Sequence, residues 1–311
     1  MARIVIAEFM DQGPVEQLGA VHDVLYDPTL VDQPAQLLAQ AATADVLIVR
    51  NRTQVRDELL AALSRCRVIG RLGVGLDNID VAACEARGIQ VLPATGANAQ
   101  SVAEYVVATA MLLLRGAYLS SAEVASGQWP RAALANGREA AGKTLGLVGF
   151  GSIGRFTAQL AGAVGMQVLA FDALLDSADP VWTTGLAQPA SLDEVVGRAD
   201  VLSLHLPLLE STRGLFDAQR LAAMKRGAVL INTSRGGIVD EPALAEALRS
   251  GQLAGAAIDV FQEEPLPAAP HFEDCPNLLL TPHIAGVSVE ANARVSSLIA
   301  NKVLQALQPL P

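Results

Sequence analysis

Arg235, Glu264 and His283 are, by type, side chains suited to chemistry, and each lies just beyond a run that reads as a β-strand. Their settings are Asn232-Thr233-Ser234-Arg235-Gly236-Gly237, Asp259-Val260-Phe261-Gln262-Glu263-Glu264-Pro265 and Thr281-Pro282-His283-Ile284-Ala285-Gly286. An arginine offers a planar fork of donors that can hold a carboxylate through two parallel hydrogen bonds. A histidine changes charge near neutral pH, so it can give or take a proton there. A carboxylate beside such a ring favours the imidazolium form and fixes its orientation. Singly, these residues read as a surface ion pair, a solvated glutamate and a turn histidine. At successive strand ends they sit where open α/β sheets gather their ligands.

A second constellation precedes them. Gly149-Phe150-Gly151-Ser152-Ile153-Gly154 is a GxGxxG turn between an expected strand and an expected helix. In such a turn Gly149 permits the tight bend, Gly151 lets main chain approach a pyrophosphate, and Gly154 lets the helix pack on the strand. Ser152 and Ile153 open the helix, whose N-terminus presents unpaired N–H groups and a positive dipole end to phosphate. Asp172 ends the next strand, at the spacing of the acidic residue that binds ribose hydroxyls. An aspartate there accepts the 2′-hydroxyl of NAD and repels the 2′-phosphate of NADP, and Ala173-Leu174-Leu175 supplies no arginine to reverse that preference. NAD is the expected cofactor.

These residues need two sets of strands and helices to position them. Short β-branched runs at 3–7, 45–50, 68–70 and 90–92 alternate with helical segments at 15–18, 33–42, 56–63 and 80–87. A longer helix is expected over 101–119, with Ser101 as its N-cap and Glu104 completing a capping box. A second series has strands at 144–149, 167–172, 201–205, 228–232, 255–259 and 278–281. Helices at 153–164, 191–196, 218–223 and 241–250 lie between them. A last helix, 288–307, follows that sheet, and the economical reading returns it to the first domain. The expected fold class is α/β, with two doubly wound parallel-sheet domains: a Rossmann-type nucleotide domain over 99–283, inserted in a flavodoxin-like substrate domain of 1–98 plus 284–311. A ligand is expected in the cleft between them.

Composition narrows the function classes. The 311 residues are 51% hydrophobic and only 4% aromatic, enough for two aliphatic cores. A formal net charge of −10 makes nucleic acid and anionic membrane poor partners. The most apolar run, 105–114, is too short to span a bilayer, and no secretory signal opens the chain. Three cysteines without CxxC spacing read as free thiols in a reducing compartment, so the expected location is cytoplasmic. Four histidines with no close His/Cys pairs argue against a metal site.

Together with Gly73-Val74-Gly75-Leu76-Asp77-Asn78-Ile79-Asp80, the three strand-end segments and the GxGxxG turn resemble the D-isomer-specific 2-hydroxyacid dehydrogenases, in particular the phosphoglycerate dehydrogenase branch. The likeness runs over essentially the whole chain, with the motifs in the family's order. It implies hydride transfer between nicotinamide and C2 of a small 2-hydroxy or 2-oxo acid. It implies His283 as general acid and base, Glu264 as the carboxylate paired with it, and Arg235 as the arginine on the substrate's carboxylate and carbonyl. It places the backbone amides of Val74 and Gly75 at the substrate carboxylate, Thr233 and Asp259 on the cofactor side, and a homodimer formed through the nucleotide domain.

Two departures bear on substrate and cofactor. Ser152 stands where many relatives carry an arginine, and its hydroxyl can still donate to phosphate. The chain stops at Pro311, without the regulatory domains many phosphoglycerate dehydrogenases carry, so feedback through such a domain is not expected. Arg50 and Arg52, flanking Asn51 at a strand end, are expected to meet a second anionic group: phosphate, sulfonate or carboxylate; the alternative is that one of them makes a helix-capping or interdomain salt bridge. A dianionic acid such as 3-phosphoglycerate or 3-sulfolactate is the leading expectation. The alternatives are a glyoxylate or hydroxypyruvate reductase acting on a monoanion, and a non-catalytic dinucleotide-sensing corepressor.

Overall fold

The computed structural model describes residues 1–176 and 178–308. The chain falls into two units, Met1–Asn98 joined by the C-terminal stretch from Val287, and Ala99–Gly286.

The first unit is built on five parallel strands: β1 (Arg3–Ile6), β2 (Asp23–Tyr26), β3 (Val46–Val49), β4 (Val68–Arg71) and β5 (Gln90–Pro93). Their order, β2-β1-β3-β4-β5, is that of flavodoxin-like sheets. The central strands β1, β3 and β4 are buried on both faces, which is why they are near-continuous apolar runs rather than alternating ones. Val5, Leu47 and Val49 pack on one side with Leu37 and Leu60. Ile4, Ile6 and Ile48 pack on the other with Val295, Ile299 and Val303 of the C-terminal helix Val289–Ala306. A Cβ at Gly70 would lie 2.9 Å from the Ile299 side chain, so the bare glycine in β4 lets that helix close onto the sheet.

The second unit has seven parallel strands: β6 (Thr144–Val148), β7 (Gln167–Phe171), β8 (Gln188–Pro189), β9 (Val201–Leu204), β10 (Ala228–Asn232), β11 (Leu253–Ile258) and β12 (Leu278–Leu280). Their order is β12-β11-β10-β9-β6-β7-β8, a doubly wound sheet whose direction of winding reverses between β6 and β9. Ligands of such sheets bind beyond the carboxyl ends of the strands at that reversal. Leu147, Val201 and Ile231 face a core shared with helix Ala99–Arg115, while Val148, Leu202 and Leu230 face the opposite core. The fold class read from the sequence is the one observed.

Some elements differ from expectation. β2 and β8 are edge strands of weak apolar character, and β8 contains Pro189, which cannot donate to a ladder. The long helix begins at Ala99, so Ser101 lies inside it instead of capping it. It ends at Arg115 because Gly116 takes φ of 67°. Among the described residues, no helix is long and apolar enough to cross a membrane.

Candidate active site

The turn after β6 is shaped by its glycines. Gly149 has φ of 99°, and a Cβ there would lie 2.2 Å from the His205 carbonyl oxygen at the end of β9. A Cβ at Gly154 would meet the Gly149 carbonyl oxygen at 2.5 Å, so the helix Ser152–Ala163 starts in contact with the turn. Gly151 differs from both: no atom lies within 4 Å of its would-be Cβ, and as N-cap it supplies no side-chain acceptor to the helix. The helix therefore opens with first-turn N–H groups uncapped by any side chain, beside space that only a missing methyl keeps clear.

Asp172 terminates β7 alongside this turn. Its Oδ2 accepts from Phe150 N at 2.7 Å and its Oδ1 from Leu174 N at 2.9 Å. A cavity of about 320 Å3 adjoins it, walled by Phe171, Leu175, Trp182, Pro189 and Ala190. Trp182 stacks on the buried Phe150 ring with centroids 4.9 Å apart. Thr233 Oγ1, beyond β10, is buried without a hydrogen-bond partner. An open approach at Gly151, an apolar cavity edged by a carboxylate, and an orphaned hydroxyl fit a dinucleotide.

β10, β11 and β12 are hydrogen-bonded neighbours, with Asn232 opposite Ile258 and Ile258 opposite Leu280. Their following segments consequently emerge side by side, which brings Arg235, Glu264 and His283 together. Asn232 shapes the first segment. Its Oδ1 accepts from Ser234 N (3.1 Å) and Ser234 Oγ (2.7 Å), and its Nδ2 donates to the Arg235 carbonyl at 3.0 Å. Arg235 Nη1 donates to the Ser234 carbonyl at 2.5 Å. A Cβ at Gly236 would sit 1.7 Å from the Phe261 carbonyl oxygen, so only glycine lets this segment lie against the next.

Glu264 is oriented by its own neighbours. One carboxylate oxygen accepts from Phe261 N at 3.0 Å, and the other pairs with His283 Nδ1 at 2.7 Å. Burial pushes the Glu264 carboxyl up, but the hydrogen bonds from His283 and Phe261, with the charges of His283 and Arg235, outweigh it and hold the group below its usual value. Since the ionised carboxylate only accepts, Nδ1 carries the hydrogen and Nε2 is left to exchange protons. The imidazole is 41% exposed, so a small molecule can reach it.

Asp259 holds the His283 segment. It is 1% exposed. Its carboxylate accepts from Thr281 Oγ1 (2.6 Å), Ile284 N (2.8 Å) and Ala285 N (2.8 Å), and its carbonyl accepts from His283 N at 2.8 Å. His283 itself lies in the left-handed region at φ of 55°, a conformation that L-residues adopt at a cost and that this network imposes. The family resemblance puts Asp259 on the cofactor side, and neither Asn232 nor Tyr105, whose hydroxyl lies 2.7 Å from Thr281 Oγ1, is among the expected site residues. An asparagine directly before a Ser-containing turn was the available signal for Asn232. Among the described residues, no cluster of His, Cys, Asp and Glu could hold a metal ion.

In the first unit, the segment beyond β3 is held by Glu8, only 4% exposed. Its Oε1 accepts from Arg50 N (2.8 Å) and Thr53 N (3.0 Å), and its Oε2 from Arg52 N (3.3 Å). Asn78 donates to the carbonyls of Arg50 (3.0 Å) and Thr53 (2.7 Å). The Arg50 guanidinium donates to Asn292 Oδ1 at 2.8 Å and lies 5.9 Å over the Phe9 ring. Arg52 is engaged by both oxygens of Asp32 at an exposed position, and Asn51 is exposed. Val74 and Gly75 follow β4, and among the described residues no backbone carbonyl accepts their N–H groups. That leaves the two amides suited to an anion.

A dinucleotide turn beside an arginine, a carboxylate and a histidine defines a nicotinamide-dependent dehydrogenase unit. Residues 107–285 match the family described as D-isomer specific 2-hydroxyacid dehydrogenase, NAD binding domain. The chain is 51% identical over 307 residues to a protein named (S)-sulfolactate dehydrogenase from Chromohalobacter salexigens, covering 99% of both. It is 38% identical over 306 residues to D-3-phosphoglycerate dehydrogenase of Mycobacterium leprae, covering 98% of this chain and 56% of that protein. Thus it spans little more than half the length of that relative. The crystal structure of TT0316 protein from Thermus thermophilus superposes with a TM-score of 0.85 at 32% identity, covering 98% of this chain and 96% of that one. The chain belongs to the D-isomer specific 2-hydroxyacid dehydrogenases and is an NAD-binding oxidoreductase of that family.

Proposed function

We propose that this protein oxidises or reduces, at C2, a 2-hydroxy or 2-oxo acid that carries a second negative charge, with 3-sulfolactate as the leading substrate and 3-phosphoglycerate as the next. The observation that carries the reaction is the His283–Glu264 pair at 2.7 Å beside Arg235. The resemblance to a sulfolactate dehydrogenase along the full chain, together with Arg50 at the end of β3, supports the dianion.

NAD is held by the uncapped helix N-terminus with Gly149, Gly151, Ser152, Ile153 and Gly154, by Asp172 at the ribose, and by Thr233 Oγ1. When bound, it supplies or accepts the hydride. Arg235 grips the acid's carboxylate and carbonyl with its fork, and the amides of Val74 and Gly75 cradle the carboxylate. During reduction, negative charge develops on the carbonyl oxygen and His283 Nε2 delivers a proton to it. During oxidation, the same nitrogen takes the hydroxyl proton. Glu264 keeps Nδ1 protonated and stabilises the imidazolium. Asp259 acts by fixing the backbone on either side of His283. The exposed Tyr118, Val124 and Trp129 support a homodimer formed through the second unit, and three free thiols suit the cytoplasm.

One observation favours a monoanionic substrate of the hydroxypyruvate type: Arg52 is already bound to Asp32. NADH oxidation against a panel of 2-oxo acids separates the readings. Preference for acids with a sulfonate or phosphate tail, lost in Arg50→Ala, is expected. Equal turnover of uncharged-tail acids would select the monoanion, and no turnover of any acid would overturn the enzymatic reading.

A further inference from the structure

Tyr105 belongs to none of the motifs, yet its hydroxyl ends a chain of hydrogen bonds that leads to His283. It sits in helix Ala99–Arg115, half-buried, with its oxygen 2.7 Å from Thr281 Oγ1. Thr281 Oγ1 lies 2.6 Å from Asp259 Oδ1. Chemistry fixes the direction of both bonds. Each oxygen of the Asp259 carboxylate already accepts a main-chain N–H, from Ile284 and Ala285, so the threonine hydroxyl donates to it. A threonine has one hydroxyl hydrogen, so the phenol must donate to Thr281. Burial raises the Tyr105 phenol above its ordinary value, which keeps that hydrogen in place through neutral pH.

The chain ends on a strained backbone. Asp259 grips residues on both sides of His283: the Thr281 side chain before it, and the Ile284 and Ala285 amides after it. The left-handed φ of His283 has no glycine to make it cheap, so it persists because the surroundings over-determine it. Buried polar networks of this kind are rigid when every member is satisfied and lose that rigidity when one donor is removed.

We propose that Tyr105 is a positioning residue for His283, acting through Thr281 and Asp259 without touching substrate or cofactor. The inference rests on the reading of His283 as the proton donor. Tyr105→Phe keeps the ring and its packing and removes only the donor. It lowers kcat about 5-fold, leaves KM and the NADH Kd within about 2-fold, and speeds amide exchange in 281–286. Thr281→Val breaks both bonds and lowers kcat about 30-fold, while Thr281→Ser restores it. In the Thr281→Val background Tyr105→Phe has no further effect, because its acceptor is gone.

The test measures kcat, KM, NADH affinity by fluorescence and hydrogen exchange of 281–286 by mass spectrometry for these variants, beside His283→Ala. Wild-type kcat and exchange in Tyr105→Phe, effects that multiply in the double variant, or a loss confined to NADH affinity would each overturn the inference. Collapse of turnover in His283→Ala with an unaltered Tyr105→Phe rejects this inference alone. Retained turnover in His283→Ala rejects the reading beneath it.

Discussion

Beyond β10, β11 and β12, the buried Asn232 and Asp259 hold the turns and Glu264 holds a reactive ring itself; beyond β3, the buried Glu8 holds only main chain. Asn232 fixes the turn that carries Arg235, Glu264 fixes the His283 ring, and Asp259 fixes the backbone on either side of that ring. Glu8, by contrast, takes the N–H groups of Arg50, Arg52 and Thr53 and leaves the arginine side chains to other partners, the half-buried Asn292 and the exposed Asp32. Proton transfer depends on close placement of the reacting atoms, so that site commits a carboxylate to the ring itself as well as buried groups to the backbone around it. Recognition of a distant anion needs only a fixed platform on which side chains can be exchanged. Under the function proposed above, the first arrangement makes the reaction hard to alter, and the second makes the substrate easy to alter.

The contrast breaks first at His283. His283→Ala should lower kcat by about 10²–10⁴-fold while the NADH Kd holds, as loss of a general acid does; a fall of less than 10-fold would remove it from the chemistry. Glu8→Ala should act on stability and recognition together. It strips the acceptor from main-chain N–H groups of which Thr53's is buried, costing about 3 kcal/mol in urea denaturation, and it raises KM for a dianionic acid more than it lowers kcat. A neutral result would mean that the platform is held some other way.

His205 supplies a pH test of the packing beneath the glycine turn. Burial lowers its pKa from 6.5 to about 4, and its Nε2 sits 3.1 Å from the buried Ser203 hydroxyl. Between those two values the unfolded chain binds a proton that the folded chain refuses. Stability should therefore fall as pH drops from 6.5 towards 4, by up to about 1.4 kcal/mol per pH unit. Thermal denaturation of His205→Gln should show a flatter acid limb; an unchanged limb would assign acid sensitivity elsewhere. The smallest effect belongs to Arg52. Arg52→Ala should leave the melting temperature unchanged, since the Asp32 pair is exposed, and should raise KM for a dianion by less than about 3-fold. Arg50→Ala should raise it by about 10-fold. A reversal of that order would place the second anion at Arg52.

The two regions also differ in how much the sequence discloses. The glycine turn and Asp172 are legible because local spacing, strand and helix signals coincide around them. Arg235, Glu264 and His283 are legible because strand ends of an α/β sheet are where such types collect. Glu8, Asn78 and Tyr105 are not legible. Each acts on a segment distant in sequence, and a lone polar residue at a strand end or on a helix reads as a cap or a solvated group. Asp259 shows the same limit from the other side. Its position at a strand end is readable, but its hold on Thr281, Ile284 and Ala285 exists only once β11 and β12 pair. The edge strand β2 escapes a sequence reading for a related reason: exposed at Asp23 and only half-buried thereafter, it lacks the unbroken apolar run of its neighbours.

Whether 2-hydroxyacid chemistry is joined here to recognition of a second anion is decided by one ratio. With NAD as acceptor, kcat/KM for 3-sulfolactate is compared with that for glycerate, whose tail is an uncharged hydroxyl. A ratio of about 100 or more is expected, as a charge-assisted contact to the sulfonate would give. A ratio near one, or in favour of glycerate, would contradict it.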